Sequence, residues 1–291
     1  MKINYKPGSC NFRNIFFLSG VSLFSSLLII ILLPGCKPIN NNSEEKRDRM
    51  LMVKNKVKTM KEFTSAVYVG VEAKEYISME TTFDRNGLRR KIVRYATDGS
   101  IESTIACDFD KNNNVVLMNG VNADGASFRE VTSYDKNGNR FEVYHYLPDG
   151  TYKFKNTSIC DNNGRVIEVH WYGTEKLRAK VFYVYDGENK IEETEYSPKG
   201  ELCYTWKYKY DANNNLVEAV QSKPDNAVMK KITYVFGNDN QLVKKISYSG
   251  EGIENSKTFE CDKKGLLSSQ SEFNRFGKVY AKRRYQYEYF Q

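Results

Sequence analysis

The stretch Tyr208-Lys209-Tyr210-Asp211-Ala212-Asn213-Asn214-Asn215-Leu216 decides how this chain folds. Alternating aromatic residues lead into an aspartate, which is followed by an asparagine-rich corner and then by an apolar residue. Alternation with a period of two indicates a strand with one buried face, and Asn tolerates the positive φ of a tight hairpin turn. The stretch therefore predicts a strand, a turn and a second strand.

The same pattern recurs to the C-terminus at a nearly constant spacing. Its aspartate serves here as the marker position, and it numbers the units from 1 to 8: Asp84, Asp110, Asp135, Asp161, Asp186, Asp211, Gly237 and Asp262. Successive markers are 26, 25, 26, 25, 25, 26 and 25 residues apart. A period this regular indicates a repeat architecture.

Each unit contains two predicted strands. Residues one, three and five positions before the marker are mostly aromatic or apolar, as in Tyr210, Tyr208 and Trp206, and a second run starts about five residues after it, as at Val166. We therefore predict an all-β fold with about sixteen strands. It is an antiparallel meander of about eight ~25-residue two-strand repeats that form a twisted or spirally curled repeat sheet, because twist accumulates in large sheets.

The motif Tyr-x-Tyr-Asp-x-x-x-Asn-Leu resembles the YD (Rhs-type) repeat of bacterial surface and toxin-shell proteins. The resemblance covers roughly residues 75 to 291 and is best at Asp135, Asp186 and Asp211. It implies an antiparallel β spiral, which in large members of the family encloses a toxin. Eight units are too few for such a shell, and the repeats run to Phe290, so we do not expect the shell function. Short lipid-anchored proteins with these repeats have a similar layout.

The N-terminal segment is organised like an export signal. Three basic residues precede an apolar run that ends in Leu33-Pro34-Gly35-Cys36. A basic segment, an apolar segment and a small-residue exit are typical of a signal peptide. The exit resembles the bacterial lipobox, whose cysteine becomes the acylated N-terminus. An uncleaved signal anchor is the alternative, because the run is about long enough to cross a bilayer.

These features divide the chain into three predicted parts. They are a lipoprotein signal peptide (1–35), a polar tether that can form a short helix (36–56), and a YD-like β-repeat domain (57–291). Residues 57 to 64 are ambiguous between helix and strand, with strand favoured. Cys36 is the predicted lipidation site, where several acyl chains such as palmitate would hold the protein on a membrane. We expect a lipid-anchored protein of the cell envelope, at the outer membrane of a Gram-negative bacterium.

The composition argues against a nucleic-acid partner. Lys and Arg total 44 and Asp and Glu 36, and three of the basic residues lie in the leader, so 41 oppose 36 in the remainder. A modest positive excess spread along a β surface is typical of a solvated face, whereas nucleic-acid binding needs a clustered basic patch.

The cysteines after the tether are Cys107, Cys160, Cys203 and Cys261. They contain no Cys-x-x-Cys pair, so the pattern gives poor support to a zinc site. Cys160 and Cys261 hold the same repeat position four units apart, which is about 38 Å along a regular meander at ~4.8 Å per strand. A disulfide needs Cα atoms within about 7 Å of each other. We therefore predict small core residues in aromatic positions.

The remaining candidate site residues are few. His145 and His170 lie in adjacent units and are candidate binding residues; without a third ligand at fixed spacing they give poor support to a metal or catalytic site. The Asp-x-Asn-x-Asn corners suggest calcium, but the glycine at the sixth position and the glutamate at the twelfth are missing, and turn chemistry explains the same residues. Trp171 and Trp206 are candidates for a recognition surface, with core packing as the alternative.

No catalytic motif, phosphate loop or dinucleotide fingerprint is present in the sequence. We therefore expect no enzyme, no cofactor and no metal. The predicted function is a membrane-anchored, non-enzymatic binding or scaffold repeat protein of the envelope, with a protein or glycan partner. The alternative is an immunity or antitoxin-type protein that neutralises a toxin at the envelope.

Overall fold

A computed structural model describes residues 43–291, and the signal peptide and Cys36 lie outside this range. Within it, no helix has the length and apolarity needed to cross a membrane. Residues 43–291 form one helix, α1 (Ser43–Lys54), and nineteen strands. The strands are β1 (Val57–Tyr68), β2 (Val71–Glu72), β3 (Tyr76–Phe83), β4 (Arg89–Tyr95), β5 (Ile101–Phe109), β6 (Val115–Asn122), β7 (Ser127–Tyr134), β8 (Arg140–Tyr146), β9 (Tyr152–Cys160), β10 (Val166–Tyr172), β11 (Leu177–Asp186), β12 (Asn189–Tyr196), β13 (Leu202–Tyr210), β14 (Leu216–Ser222), β15 (Val228–Phe236), β16 (Leu242–Ser249), β17 (Gly252–Cys261), β18 (Leu267–Asn274) and β19 (Val279–Tyr289).

The sheet is closed, so the predicted open, spirally curled repeat sheet is wrong, although the all-β class is correct. Consecutive strands from β3 to β19 pair antiparallel as a meander, and β1 pairs with both β19 and β3. The result is a ring of eighteen strands rather than about sixteen in an open sheet. β2 forms only a short hairpin with the end of β1.

The reason for closure lies in the number of strands. The meander from β3 to β19 has an odd number of strands, so its two edge strands run in the same direction and do not complete an antiparallel ladder. β1 runs in the opposite direction and pairs with each edge, from Val57–Tyr289 to Ala66–Ala281 on one side and from Thr59 to Thr64 on the other. Both sets of edge hydrogen-bonding groups are thereby satisfied.

Regular β-bulges supply the curvature that the closed sheet needs. In all eight hairpins at the marker position, the second strand carries one extra residue. In unit 3, Arg140 pairs with Tyr134 and Glu142 pairs with Ser133, so Phe141 between them is the extra residue. A bulge bends its strand and increases the local twist. A bulge repeated in every unit therefore curls the whole sheet in one direction.

The hairpin turns that begin at the marker position, here called marker corners, all lie at one end of the barrel. In unit 3, Asp135 Oδ1 accepts the backbone N–H groups of Asn137 and Asn139, each at 2.8 Å. Gly138 takes the positive φ of 80° that this turn requires, and Asn113 takes φ 66° at the same position in unit 2. The aspartate of the pattern is thus used to build the turn.

The aromatic column before each marker lies on the buried face. Where the residue immediately before the marker is a tyrosine, it forms the same hydrogen bond in each unit. Its hydroxyl donates to a backbone carbonyl of the preceding unit at 2.8–2.9 Å. These pairs are Tyr134–Val115, Tyr185–Val166, Tyr210–Lys190 and, from β19, Tyr287–Leu267. The ring of each tyrosine therefore fills the space between neighbouring units and ties them together.

Helix α1 lies across the marker end of the barrel. Arg47 donates to Asn215 Oδ1 at 2.9 Å, and Arg49 donates to the Asn86 carbonyl at 2.8 Å, so α1 joins the corners of units 6 and 1. A Cβ atom at Gly87 would lie 2.8 Å from the Arg49 carbonyl, which shows how closely the helix approaches. Its apolar residues pack on a buried cluster: Leu51 and Met52 on Val57, Phe83 and Leu266.

Candidate functional site

The strongest candidate site lies where one unit departs from the repeat. Cys160 occupies the position before the marker of unit 4, where Tyr185 and Tyr210 in the next two units donate to a carbonyl of the preceding unit. A thiol fills much less space than a phenol ring. A cleft of about 600 Å³ opens there, between the marker corners of units 3 and 4.

The cleft is polar on nearly all sides. Its lining residues are the two corners, the residues beside them and the floor of β9: Asp135, Asn137, Asn139, Arg140, Phe141, Ser158, Cys160, Asp161, Asn162, Asn163 and Gly164. Phe141, which is the bulge residue of unit 3, is the one aromatic ring among them, and it is half exposed. Amide donors and acceptors therefore surround a space with a single apolar wall.

Both carboxylates of the cleft stay ionised. The N–H groups of Asn139 and Asn137 lower the pKa of Asp135 against a weak effect of burial. Burial alone would raise the pKa of Asp161, but hydrogen bonds from Arg165 and Asn163 outweigh it and lower the pKa. Both groups accept their bonds inside their own turns, and their negative charge still faces the cleft.

Arg140 supplies the opposing charge. Its guanidinium is deeply buried, which lowers its pKa to about 10, and it remains protonated at neutral pH. It donates to Asn156 Oδ1 at 3.3 Å. Burial raises the pKa of Glu130 to about 7, and the nearby charge of Arg140 opposes that rise. Glu130 of β7, Arg140 of β8 and Asn156 of β9 therefore form a buried polar cluster beneath the cleft.

The thiol of Cys160 is neutral in this setting. Burial raises its pKa, and the carboxylates of Asp135 and Asp161 raise it further. The group is therefore a weak hydrogen-bonding thiol rather than a nucleophilic thiolate.

The equivalent position in unit 8 is covered. Burial raises the pKa of Cys261, and Asp48 of α1 is among the charges that raise it further. Leu51 of α1 lies 3.5 Å from the point where a Cβ atom on Gly265 would stand, so the helix passes over the corner of unit 8. The two cysteine positions therefore differ: α1 lies over one, and the other forms an open cleft.

The two histidines do not form a joint site. His145 is buried between the rings of Phe128 and Phe154, at centroid distances of 5.2 and 4.4 Å. Burial lowers its pKa to about 4, and its Nδ1 has no hydrogen-bond partner within residues 43–291. His170 is only partly buried and contacts Glu168 at 2.5 Å. His145 is thus a core residue.

The two tryptophans lie on different strands, Trp171 on β10 and Trp206 on β13. Trp206 is half-buried and stacks on Tyr208 at 6.2 Å, and Tyr208 donates to Glu193 at 3.2 Å. Trp171 on β10 has 40% of its surface exposed. Neither residue lines the cleft at Cys160.

The structure accounts for the bonding state of the cysteines and for the hydrogen bonds of the asparagine-rich corners. No disulfide joins Cys107, Cys160, Cys203 or Cys261. In the corner of unit 6, Asp211 Oδ1 accepts the N–H groups of Asn213 and Asn215 at 2.9 Å, and Oδ2 accepts the Asn215 amide at 2.9 Å. Among the residues described, no group of three or more His, Cys, Asp or Glu side chains could hold a metal ion.

Comparisons with known proteins find remote structural similarity. No family model and no curated protein matches the chain. A chain of the Photorhabdus luminescens Tc holotoxin pore shares 13% identity at a TM-score of 0.35, over 72% of this chain and 13% of that one. The match thus spans only about an eighth of the Tc chain.

Two porin-like proteins of Bacteroides are similar over nearly their whole length. The protein from Bacteroides uniformis has 11% identity and a TM-score of 0.43, and it covers 80% of this chain and 97% of its own. The protein from Bacteroides vulgatus has 8% identity and a TM-score of 0.31, with 78% and 98% coverage. Scores this low assign neither a family nor a function, so the function is argued from the site.

Proposed function

We propose that this protein is a lipid-anchored, non-enzymatic binding protein of the bacterial cell envelope, and that it holds a neutral glycan in the cleft at Cys160. The observation that carries the proposal is the replacement of an aromatic residue by Cys160 between two amide-rich corners. In the next two units a tyrosine occupies the same position and bonds to a carbonyl of the preceding unit. The open cleft therefore lies where the repeat omits the ring and α1 does not cover the gap.

The charge balance of the cleft favours a neutral, hydroxyl-rich ligand. Asp135 and Asp161 face the one cation Arg140 among the lining residues, so the cleft has no positive excess that would attract a phosphate or a carboxylate. Asparagine amides donate to and accept from hydroxyl groups, and the ionised carboxylates accept from them. Phe141 offers a ring face for the apolar side of a sugar. This mixture of a few polar groups with an aromatic wall is typical of small-molecule sites.

The position of the cleft agrees with the predicted anchor. The cleft opens between marker corners, and α1 lies across the same end of the barrel. The predicted lipid at Cys36 precedes α1 by only a few residues, which extend at most about 3.5 Å each. An anchored barrel would therefore present the cleft close to the membrane surface, where envelope glycans are attached.

The proposal is tested by filling the cleft. Calorimetry would measure the binding of neutral N-acetylglucosamine oligomers to the full chain in detergent micelles. We expect C160Y to abolish binding, because the new ring occupies the cleft and its hydroxyl reaches the Arg140 carbonyl as Tyr185 reaches Val166. The melting temperature of C160Y should equal or exceed that of the wild type, since the new ring restores the repeat.

A matched substitution controls for the added ring. Cys203 lies at the opposite end of the barrel, at the start of β13, so C203Y should bind the oligomers as the wild type does. Undiminished binding by C160Y would contradict the proposal. A wild-type chain that binds no neutral oligomer would also contradict it.

A further inference from the structure

The hairpin of β1 and β2 extends beyond the rim of the barrel. The ladder between β1 and β19 ends at Ala66–Ala281, after which β1 continues and pairs only with β2. This end lies opposite α1, because β1 begins beside α1 and runs for 12 residues, or about 40 Å at ~3.3 Å per residue. The turn between β18 and β19 lies at the same end, next to the hairpin in the ring.

The tip of the hairpin is apolar and fully exposed. Tyr68 and Val71 are each 71% exposed and Val69 is 104% exposed, and Phe276 in the neighbouring turn is 71% exposed. Single exposed apolar residues are ordinary on protein surfaces, but four at one projecting end form an unusual cluster.

The backbone conformation of the tip is unfavourable for valine, which argues that the apolar side chain of Val69 has a role there. The two turn residues, Val69 and Gly70, have φ values of 50° and 80°. Such two-residue turns favour Asn or Gly at both positions, and a β-branched residue with positive φ is strained. In the marker corners of units 2 and 6 the residue with positive φ is Asn113 or Asn214. At the hairpin an exposed apolar side chain is kept where a polar one would fit the backbone better.

The charges around the tip leave a positive excess. Glu72 pairs with Lys282 at 2.6 Å, and Glu75 pairs with Arg284 at 2.7 Å, so the carboxylates of the hairpin and of the segment after it are each paired with a cation. The further cations at this end are exposed: Lys74, Arg275 and Lys278. The guanidinium of Arg275 lies 4.6 Å from the centre of the Phe276 ring, which joins the apolar and basic groups into one surface.

We propose that this tip, formed by Tyr68, Val69, Val71 and Phe276 with its basic rim, binds the surface of an anionic lipid bilayer. Apolar side chains that project together insert at the boundary between headgroups and acyl chains, where a tyrosine ring is also favourable. Lys and Arg beside them attract anionic headgroups. The tip projects from the rim and offers no groove for a folded partner. Because α1, which follows the predicted anchor at Cys36 in sequence, lies at the opposite end of the barrel, the bilayer bound is a second one, apposed to the membrane that would hold that anchor.

The test measures capture of one membrane by protein held in another. The full chain would be reconstituted in phosphatidylcholine nanodiscs and floated with vesicles made of equimolar phosphatidylglycerol and phosphatidylcholine. We expect the nanodiscs to co-float with these vesicles and not with vesicles of phosphatidylcholine alone. Each Lys-to-Glu change at Lys74 or Lys278 should weaken capture by about fivefold or more, since a cation near an anionic surface contributes ~1 kcal/mol.

Val69 gives a variant that separates binding from folding. V69N removes the exposed apolar group and relieves the backbone, so the chain should melt at the same or a higher temperature while capture falls about tenfold. V121T removes an exposed valine from another part of the same end and should leave capture unchanged. Full capture by V69N, or equal capture of neutral and anionic vesicles, would overturn the proposal.

Discussion

Replacing Glu272 by glutamine should reveal a large electrostatic contribution to stability inside the barrel. Glu272 is 5% exposed on β18 and accepts bonds from Lys257 at 2.7 Å, Tyr280 at 2.6 Å and Gln270 at 2.8 Å. It also pairs with Arg283 of β19. The carboxylate therefore links three neighbouring strands beside the seam that closes the ring.

The magnitude follows from the pKa of Glu272. Burial alone would raise it, but the bonds from Lys257, Tyr280 and Arg283 outweigh burial and lower it from 4.5 to about 2. Lowering the pKa by ~2.5, at ~1.4 kcal/mol for each whole pKa step, corresponds to roughly 3 to 3.5 kcal/mol of stability above the unfolded-state pKa. Breaking a buried ion pair by removing one partner costs a similar ~3–5 kcal/mol.

The sign of the pH dependence is specific. Because the folded-state pKa is depressed, the contribution is complete above pH 4.5 and is lost as the pH falls from 4.5 towards 2. E272Q should therefore be less stable than the wild type by about 3 kcal/mol at neutral pH, and the two proteins should converge at low pH. Urea unfolding followed by tryptophan fluorescence across this range measures the difference.

An exposed ion pair serves as the control. Glu288 pairs with Lys61 at 2.6 Å, but its side chain is 55% exposed, so E288Q should change the stability little at any pH. The reasoning is refuted if E272Q matches the wild type at neutral pH. It is also refuted if the gap between the two proteins is the same at low and neutral pH.

Four further variants test the fold. Y185F removes the hydroxyl bond to the preceding unit and should lower the free energy of unfolding by about 1 kcal/mol in urea. Burial lowers the pKa of His145 from 6.5 to about 4, so the protein should lose stability as the pH falls through that range. H145F should abolish this loss in melting scans at different pH values. Deletion of Val57–Tyr68 leaves an odd number of strands in the ring, so the protein should aggregate on gel filtration. Deletion of residues 186 to 210 removes two strands and keeps the number even, so it should leave a folded but less stable monomer.

Local features of the fold could be predicted because they depend on local rules. The 25-residue period, the turn chemistry at Asp135 and the buried aromatic column before each marker all follow from side-chain alternation and turn preferences. Closure could not be predicted in this way. It depends on Val57–Tyr68, which lies outside the repeat and whose first eight residues favour strand over helix only slightly. It also depends on whether the total number of strands is odd or even.

The sequence does mark the candidate site, but only by the lack of an aromatic residue at one repeat position. Cys160 stands where Tyr185 and Tyr210 stand in the next units, and a cysteine there equally suits a small core residue. What separates the two possibilities is that α1 lies over the same position at Cys261 and leaves Cys160 open. That difference requires knowing where the helix crosses the barrel. The residues singled out by type instead, such as His145 and Trp206, lie in packed aromatic surroundings.

The pairing of β1 with β19 has a consequence for folding kinetics. Each strand from β4 to β18 pairs with its immediate neighbours in sequence, so most ladders form between nearby segments, which favours rapid folding. The pairing of β1 with β19 instead joins opposite ends of the described chain. Its loop-closure entropy must be overcome in one step, and only after β19 has been synthesised. We therefore expect this pairing to form late in folding, and hydrogen exchange to show it opening before the ladders between consecutive strands.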